Sequence, residues 1–90
     1  MYMQILKNAS AGTLESSDAY VEIAPADHLE VQLESVVQEQ FGENICAVVR
    51  EVLDQFGVDK ALVRVVDRGA LDCVIRARVE TALTRGKGDA

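Results

Sequence analysis

The sequence predicts an α+β domain: a small, mainly antiparallel four-stranded sheet with two helices packed on one face, in the order β-β-β-α-β-α. Three observations carry this. Residues 29–34 alternate apolar and polar with a strict period of two. After Ser35 the apolar spacing changes to three and four. A short β-branched run, 61–66, then separates that stretch from a second helical stripe. Ninety residues hold one domain, 1–90, and its ends at 1–8 and 86–90 are expected to fray.

The first half reads as strands: residues 12–15 lead into the polar cluster Ser16-Ser17-Asp18, and Tyr20-Val21-Glu22-Ile23-Ala24 resumes until Pro25 interrupts it. Serine and aspartate side chains bond nearby backbone groups and favour turns, so a hairpin with residues 16–18 at its tip is expected. The third strand, Leu29-Glu30-Val31-Gln32-Leu33-Glu34, puts Leu29, Val31 and Leu33 on one face and polar groups on the other. Ser35 and Gln38 stand at the spacing of a capping box. Phe41, Ile45, Val48, Val52 and Phe56 then share one helical stripe, and Gly57 suits the C-terminal cap. Gly42 inside that helix costs about 1 kcal/mol relative to alanine. After the fourth strand, Asp67-Arg68-Gly69 turns the chain. Leu71, Val74, Ile75, Val79, Ala82 and Leu83 form the second stripe, leaving Arg76, Arg78, Glu80 and Arg85 for solvent.

Composition narrows the function. Nine Lys and Arg against fifteen Asp and Glu give a net charge of −6. Such a balance opposes binding to nucleic acid, which needs clustered cations to displace counterions, and opposes an anionic membrane surface equally. The N-terminus lacks a signal-peptide pattern, and the longest apolar runs, such as 45–49, fall far short of the ~20 residues that span a bilayer. A cytoplasmic location is expected, with Cys46 and Cys73 reduced.

Catalytic constellations are nearly absent from the sequence. It contains no phosphate-binding P-loop, no GxSxG elbow and no dinucleotide fingerprint. Cys46 and Cys73 lie on different helices, form no CxxC pair and are expected to pack as buried thiols. His28 is the only histidine, too few for a metal cluster, and its turn position suggests a solvated side chain. Most carboxylates fit solvated faces. No catalytic residue and no metal site is therefore expected.

Two segments carry more information: Ala11-Gly12-Thr13-Leu14-Glu15-Ser16-Ser17-Asp18, and Asp67-Arg68-Gly69-Ala70-Leu71-Asp72-Cys73-Val74-Ile75-Arg76-Ala77-Arg78. By chemistry alone they read as a hydroxyl-rich turn and a strand-to-helix junction. Together, in this order and spacing, they resemble the acyl carrier (gamma) subunits of citrate lyase, and the resemblance runs from about Ala11 to Arg85 through Gln40-Phe41-Gly42. It implies a non-catalytic carrier domain with a phosphoribosyl dephospho-coenzyme A group joined to a serine by a phosphodiester. Matched residue by residue, that serine is Ser16. Ser17 stands where glycine is common in the family, and is the less favoured attachment residue. The implied partners are the alpha (transferase) and beta (lyase) subunits of citrate lyase and the transferase that installs the prosthetic group. Thioesters on the group's thiol, not on Cys46 or Cys73, would pass between the subunits as citrate becomes acetate and oxaloacetate.

Two alternatives remain open. The carrier subunit of malonate decarboxylase is related, but its serine tip more usually reads Gly-Ser-Gly-Asp, where this chain has Glu15-Ser16-Ser17-Asp18. An unmodified interaction or regulatory domain would leave the tip serines as plain turn residues.

Overall fold

A computed structural model describes residues 3–36 and 38–87, with the backbone alone at 38–40. The strands β1 (Ala9–Gly12), β2 (Ala19–Ala24) and β3 (Leu29–Ser35) precede helix α1 (Gln38–Gln55), and β4 (Ala61–Asp67) precedes α2 (Asp72–Gly86). The sheet order is β1-β2-β4-β3. β1 pairs antiparallel with β2, and β2 with β4, so the sheet is mainly antiparallel as expected. β3 and β4 are parallel, which makes it a mixed sheet. Parallel neighbours require a crossover, and α1 supplies it.

Period-two patterning divides the two faces of the sheet. Ala19, Val21 and Ile23 of β2 and Ala61, Val63 and Val65 of β4 are fully or almost fully buried beneath the helices. Ile45, Val48, Val49, Val52 and Leu53 of α1, with Ile75, Val79, Ala82 and Leu83 of α2, complete the core. Each of the Val, Leu and Ile side chains contributes about 1.5–3 kcal/mol when buried. The opposite face carries Tyr20, Glu22, Gln32, Leu62 and Arg64 around a shallow depression of about 290 Å³. β3 is an edge strand, so Leu29, Val31 and Leu33 are only half-buried while Glu30, Gln32 and Glu34 face solvent.

Helix α1 ends as the sequence suggests. Val58 N–H donates to Leu53 C=O (2.9 Å) and Gly57 N–H to Asp54 C=O (3.0 Å), a Schellman pattern with Val58 and Leu53 both buried. Gly42 sits within the helix without interrupting it.

Several expectations need correction. β1 runs over Ala9–Gly12 and ends where the first strand was expected to begin, because Gly12 (φ 94°) turns the backbone out of the extended region. Ser35 belongs to β3 and donates its hydroxyl to Asp67 Oδ2 (2.7 Å); the Gln38 side chain lies outside the described residues. Residues 3–7 are not frayed. Ile5 is buried, Met3 N–H donates to Gly57 C=O (3.0 Å), and Leu6 and Lys7 both donate to Gly86 C=O (2.9 and 3.2 Å). Gly86 is thereby held too, while 88–90 lie outside the described residues. The thiols are not core groups: Cys46 is half-buried and Cys73 exposed, because both lie off the buried stripes of their helices. Among the described residues no helix is long and apolar enough to cross a membrane.

Candidate functional site

The two informative segments meet at one end of the molecule. The pairing register aligns Ala19 of β2 with Asp67 of β4, and Asp67 with Ser35 of β3. The β1–β2 tip therefore lies beside the turn after β4, and both helices start at the same end.

Within the tip, residues 13–18, one carboxylate organises the loop. Asp18 accepts from Thr13 Oγ1 through Oδ2 (2.7 Å) and from its neighbour's amide, Ala19 N–H, through Oδ1 (2.7 Å). Arg78, 60 residues away on α2, donates to the same carboxylate in a fork, Nε to Oδ1 (2.9 Å) and Nη2 to Oδ2 (3.1 Å). The Arg78 guanidinium first, then the Thr13 hydroxyl, hold the Asp18 carboxyl well below the usual carboxylate range. Thr13 Oγ1 also accepts from Glu15 N–H (3.2 Å), and Asp18 N–H donates to Glu15 C=O (3.2 Å).

The backbone supplies a second fastening. Ser17 N–H donates to Arg68 C=O (2.8 Å), and Arg68 N–H donates to Asp18 C=O (2.9 Å). Ser17 takes a positive φ of 67°, the conformation that glycine would adopt most readily. Below the turn, the buried Asp67 carboxylate accepts from Ser35 Oγ and from Ala70 N–H (2.9 Å). Five residues of the two motifs thus have a physical task. Gly12 permits close passage of the strands, Thr13 and Asp18 fold the loop, Asp67 closes the next turn, and Arg78 locks one to the other.

Ser16 and Ser17 both stand exposed on this fastened tip. Ser16 has no part in the fastening, so a large substituent on its hydroxyl meets no steric obstacle from those bonds. His28 is remote from it, exposed, and hydrogen-bonded to Asp27 (2.7 Å), which raises its pKa first, with Glu30 adding to the effect. Cys46 and Cys73 form no pair. Among the described residues there is no group of three or more His, Cys, Asp or Glu side chains that could hold a metal.

Sequence reasoning found the tip but missed its clamp. Arg78 was expected in solvent, yet it engages Asp18. Arg76 joins Glu51 of α1 (2.9 Å), and Arg85 Nη1 donates to Ser10 C=O of β1 (2.8 Å). A cation at mid-helix looks like any solvated residue. The only signal was that Arg78 falls inside the second informative segment.

The two segments thus present an exposed serine, Ser16, on a loop fastened to the turn after β4 and to α2. Comparison with known proteins assigns the family. The family described as "ACP: Malonate decarboxylase delta subunit (MdcD)" matches residues 6–86. A citrate lyase acyl carrier protein of Haemophilus influenzae (strain PittEE) is 55% identical over 83 residues, covering 92% of this chain and 87% of that one. Citrate lyase acyl carrier protein 2 of Salmonella typhimurium (strain LT2) is 52% identical over 85 residues, 92% of this chain and 88% of the other. That of Albidiferax ferrireducens is 51% identical over 89 residues, covering 97% and 91%. A chain in the crystal structure of a Pseudomonas malonate decarboxylase hetero-tetramer in complex with malonate shares the fold, with a TM-score of 0.80 at 21% identity and coverage of 93% and 88%. The chain belongs to the citrate lyase acyl carrier protein family, whose members are non-catalytic carrier subunits of larger complexes.

Proposed function

We propose that this protein carries acetyl and citryl thioesters between the transferase and lyase subunits of a cytoplasmic citrate lyase, on a phosphoribosyl dephospho-coenzyme A group linked to Ser16. The observation that carries the reading is the tip itself: an exposed serine, held by Asp18–Arg78 and the Arg68 backbone, with nothing catalytic beside it. When bound, the group supplies a terminal thiol. The chain's own residues do the rest: Ser16 offers the attachment oxygen, Asp18 and Arg78 hold its loop, and the domain presents it. Tethering raises the effective concentration of the acyl group at each partner's active site without any new contact.

Ser16 fits a phosphodiester well. It is exposed, and the neighbouring Glu15 keeps the tip hydrated without making the hydroxyl a strong nucleophile. The installing transferase must therefore activate it.

The test is intact mass and peptide mapping of protein from its native host grown on citrate. The expected result is one adduct of the prosthetic group on Ser16. Ser16→Ala abolishes it together with the activity of the reconstituted complex, and leaves stability nearly unchanged. Ser17→Gly preserves both. An adduct on Ser17, or loading of Ser16→Ala, refutes the site, and an unmodified protein refutes the carrier. A malonate decarboxylase carrier is the second reading, favoured by the description of the matching family. Reconstitution with citrate- or malonate-specific transferase subunits separates the two.

A further inference from the structure

Between the starts of the two helices runs a groove of about 680 Å³. Phe41 in the first turns of α1 and Leu71 just before α2 line it, and both are exposed large apolar side chains, at 52% and 71%. Ile45 and Ala70 add to the apolar lining. The volume is that of a small-molecule site, whose usual range is about 300–1,000 Å³. Gly69 leaves one edge open, since a Cβ built there meets nothing within 4 Å.

That edge adjoins the serine tip. Asp67 and Gly69 line the groove, and Arg68, between them, bonds Ser17 and Asp18 through its backbone. A group carried on Ser16 is therefore tethered beside the groove. The polar groups here differ in sign and in what they can still bind. Arg68 is the exposed cation of the turn, and its guanidinium has no acidic partner among the described residues. Inside the groove, Asp67 is engaged by Ser35 and Ala70, and the Asp72 carboxylate accepts from Asn44 Nδ2 (3.2 and 3.4 Å to its two oxygens). A single N–H can serve both oxygens. It leaves the second N–H of Asn44 and its Oδ1, a donor and an acceptor side by side. Such a pair matches the N7 and N6 edge of adenine.

Resting on the Ser16 reading, we propose that the groove seats the adenine of the prosthetic group. The covalent order of the arm selects this part of it. Counted from the serine oxygen, the phosphodiester comes first, then a ribose, then the adenosine, with the diphosphate and the thiol-bearing chain beyond. The phosphodiester falls at the turn that carries Arg68. The purine is the first flat, uncharged unit along the arm, and the groove offers it the Phe41 ring as a stacking face and Asn44 for its edge. Asp72 repels the diphosphate, which stays in solvent with the thiol beyond it. The tether favours this occupant, because a base held beside the groove meets it at roughly millimolar effective concentration, and even weak stacking then fills the site. The near half of the arm becomes a spacer fixed to the domain, and only the far half swings.

The experiment compares the full-length loaded chain with the unmodified chain, each first weighed by intact mass. The readout is alkylation of Cys73 by iodoacetamide without denaturant, followed by peptide mapping, since Cys73 is exposed and lines the groove. Loading should slow Cys73 alkylation about fivefold, the value for a groove filled about four-fifths of the time by a tethered base. Cys46, half-buried and outside the groove, should react equally in both forms, and the arm's own thiol is read separately on the Ser16 peptide. Phe41→Ala and Asn44→Leu should each bring Cys73 of the loaded chain to within about twofold of its unmodified form, by loss of the stacking face or of the matched edge. Leu6→Ala, whose backbone bonds Gly86 at the close of α2, should keep the full slowing. Each variant is judged against its own unmodified form, so a change in the thiol's intrinsic reactivity cancels. Circular dichroism checks the fold, and either groove variant suffices because both replace exposed side chains. Equal alkylation of the loaded and unmodified wild type overturns the proposal. So does slowing that survives both groove variants, which would be shielding by an arm lying elsewhere. A chain whose mass shows no such adduct, or whose peptide map places it away from Ser16, instead refutes the Ser16 reading and the adenine seat with it.

Discussion

Replacing Gly12 by alanine should be far more damaging than replacing Gly69, although both backbones have positive φ (94° and 88°). At Gly69 an added Cβ meets nothing within 4 Å. The change costs only conformational strain, about 1–2 kcal/mol, partly offset by a less flexible unfolded chain. At Gly12 the same Cβ would lie 1.8 Å from Ala19 O, 3.0 Å from Ala19 C and 3.1 Å from Arg78 Cδ. Ordinary contact between such atoms needs about 3.5 Å, so β1 and β2 must separate at the Gly12–Tyr20 pair and push against the Arg78 side chain. Overpacking of this kind adds about 1–3 kcal/mol, for a combined cost of about 3–4 kcal/mol. A domain of this size has roughly 5–13 kcal/mol in total and loses about 4–8 °C of melting temperature per kcal/mol. Gly12→Ala should therefore melt about 15–25 °C below wild type, and Gly69→Ala about 5 °C below, in circular dichroism melts of the unmodified chain. Melting temperatures within about 5 °C of each other would show that the strands can yield at Gly12 and would refute the reasoning.

Other outcomes follow from the same geometry. The folded pKa of Asp18 is lowered, so its contribution to stability is complete above the unfolded value of about 3.9 and is lost as pH falls through the folded value. Asp18→Asn should then destabilise at pH 7, and the gap to wild type should narrow steadily below about pH 4 in urea titrations; a constant gap would deny the clamp its charge. Asp67→Ala leaves the Ser35 hydroxyl and the Ala70 amide without this acceptor, and should cost about 1–3 kcal/mol by the same assay. His28, raised by Asp27, should titrate by NMR above its ordinary value and move down in Asp27→Asn. Cys46→Ala and Cys73→Ala should leave loading intact, since neither thiol is part of the tip; loss of loading would place a thiol of this chain in the chemistry.

The sequence revealed those parts of the fold whose information is local. β3 announces itself through residues 29–34, and the stripes Ile45-Val48-Val52 and Ile75-Val79-Leu83 mark both helices, because burial imposes its period on neighbouring residues. The parallel pairing of β3 with β4 was hidden. An edge strand with one wet face has the same alternation whichever way its neighbour runs. The start of the first strand was misplaced because Gly12, Thr13 and Leu14 satisfy a strand pattern, while only the approach of Ala19 makes Gly12 a turning point. The serine tip was legible through its hydroxyls and its family likeness. The Asp18–Arg78 fork was not, since a contact spanning 60 residues leaves no local period.

That fork has a consequence for the order of events in the cell. Residues 13–18 leave the ribosome well before Arg68 and Arg78, the partners that shape them. The nascent serine loop therefore has nothing to brace against until the second helix has emerged and packed. Ser16 acquires the geometry a modifying enzyme could recognise only in a chain that has finished folding. Under the proposed attachment at Ser16, a truncated or misfolded copy would present the right residues in the wrong shape and would escape modification.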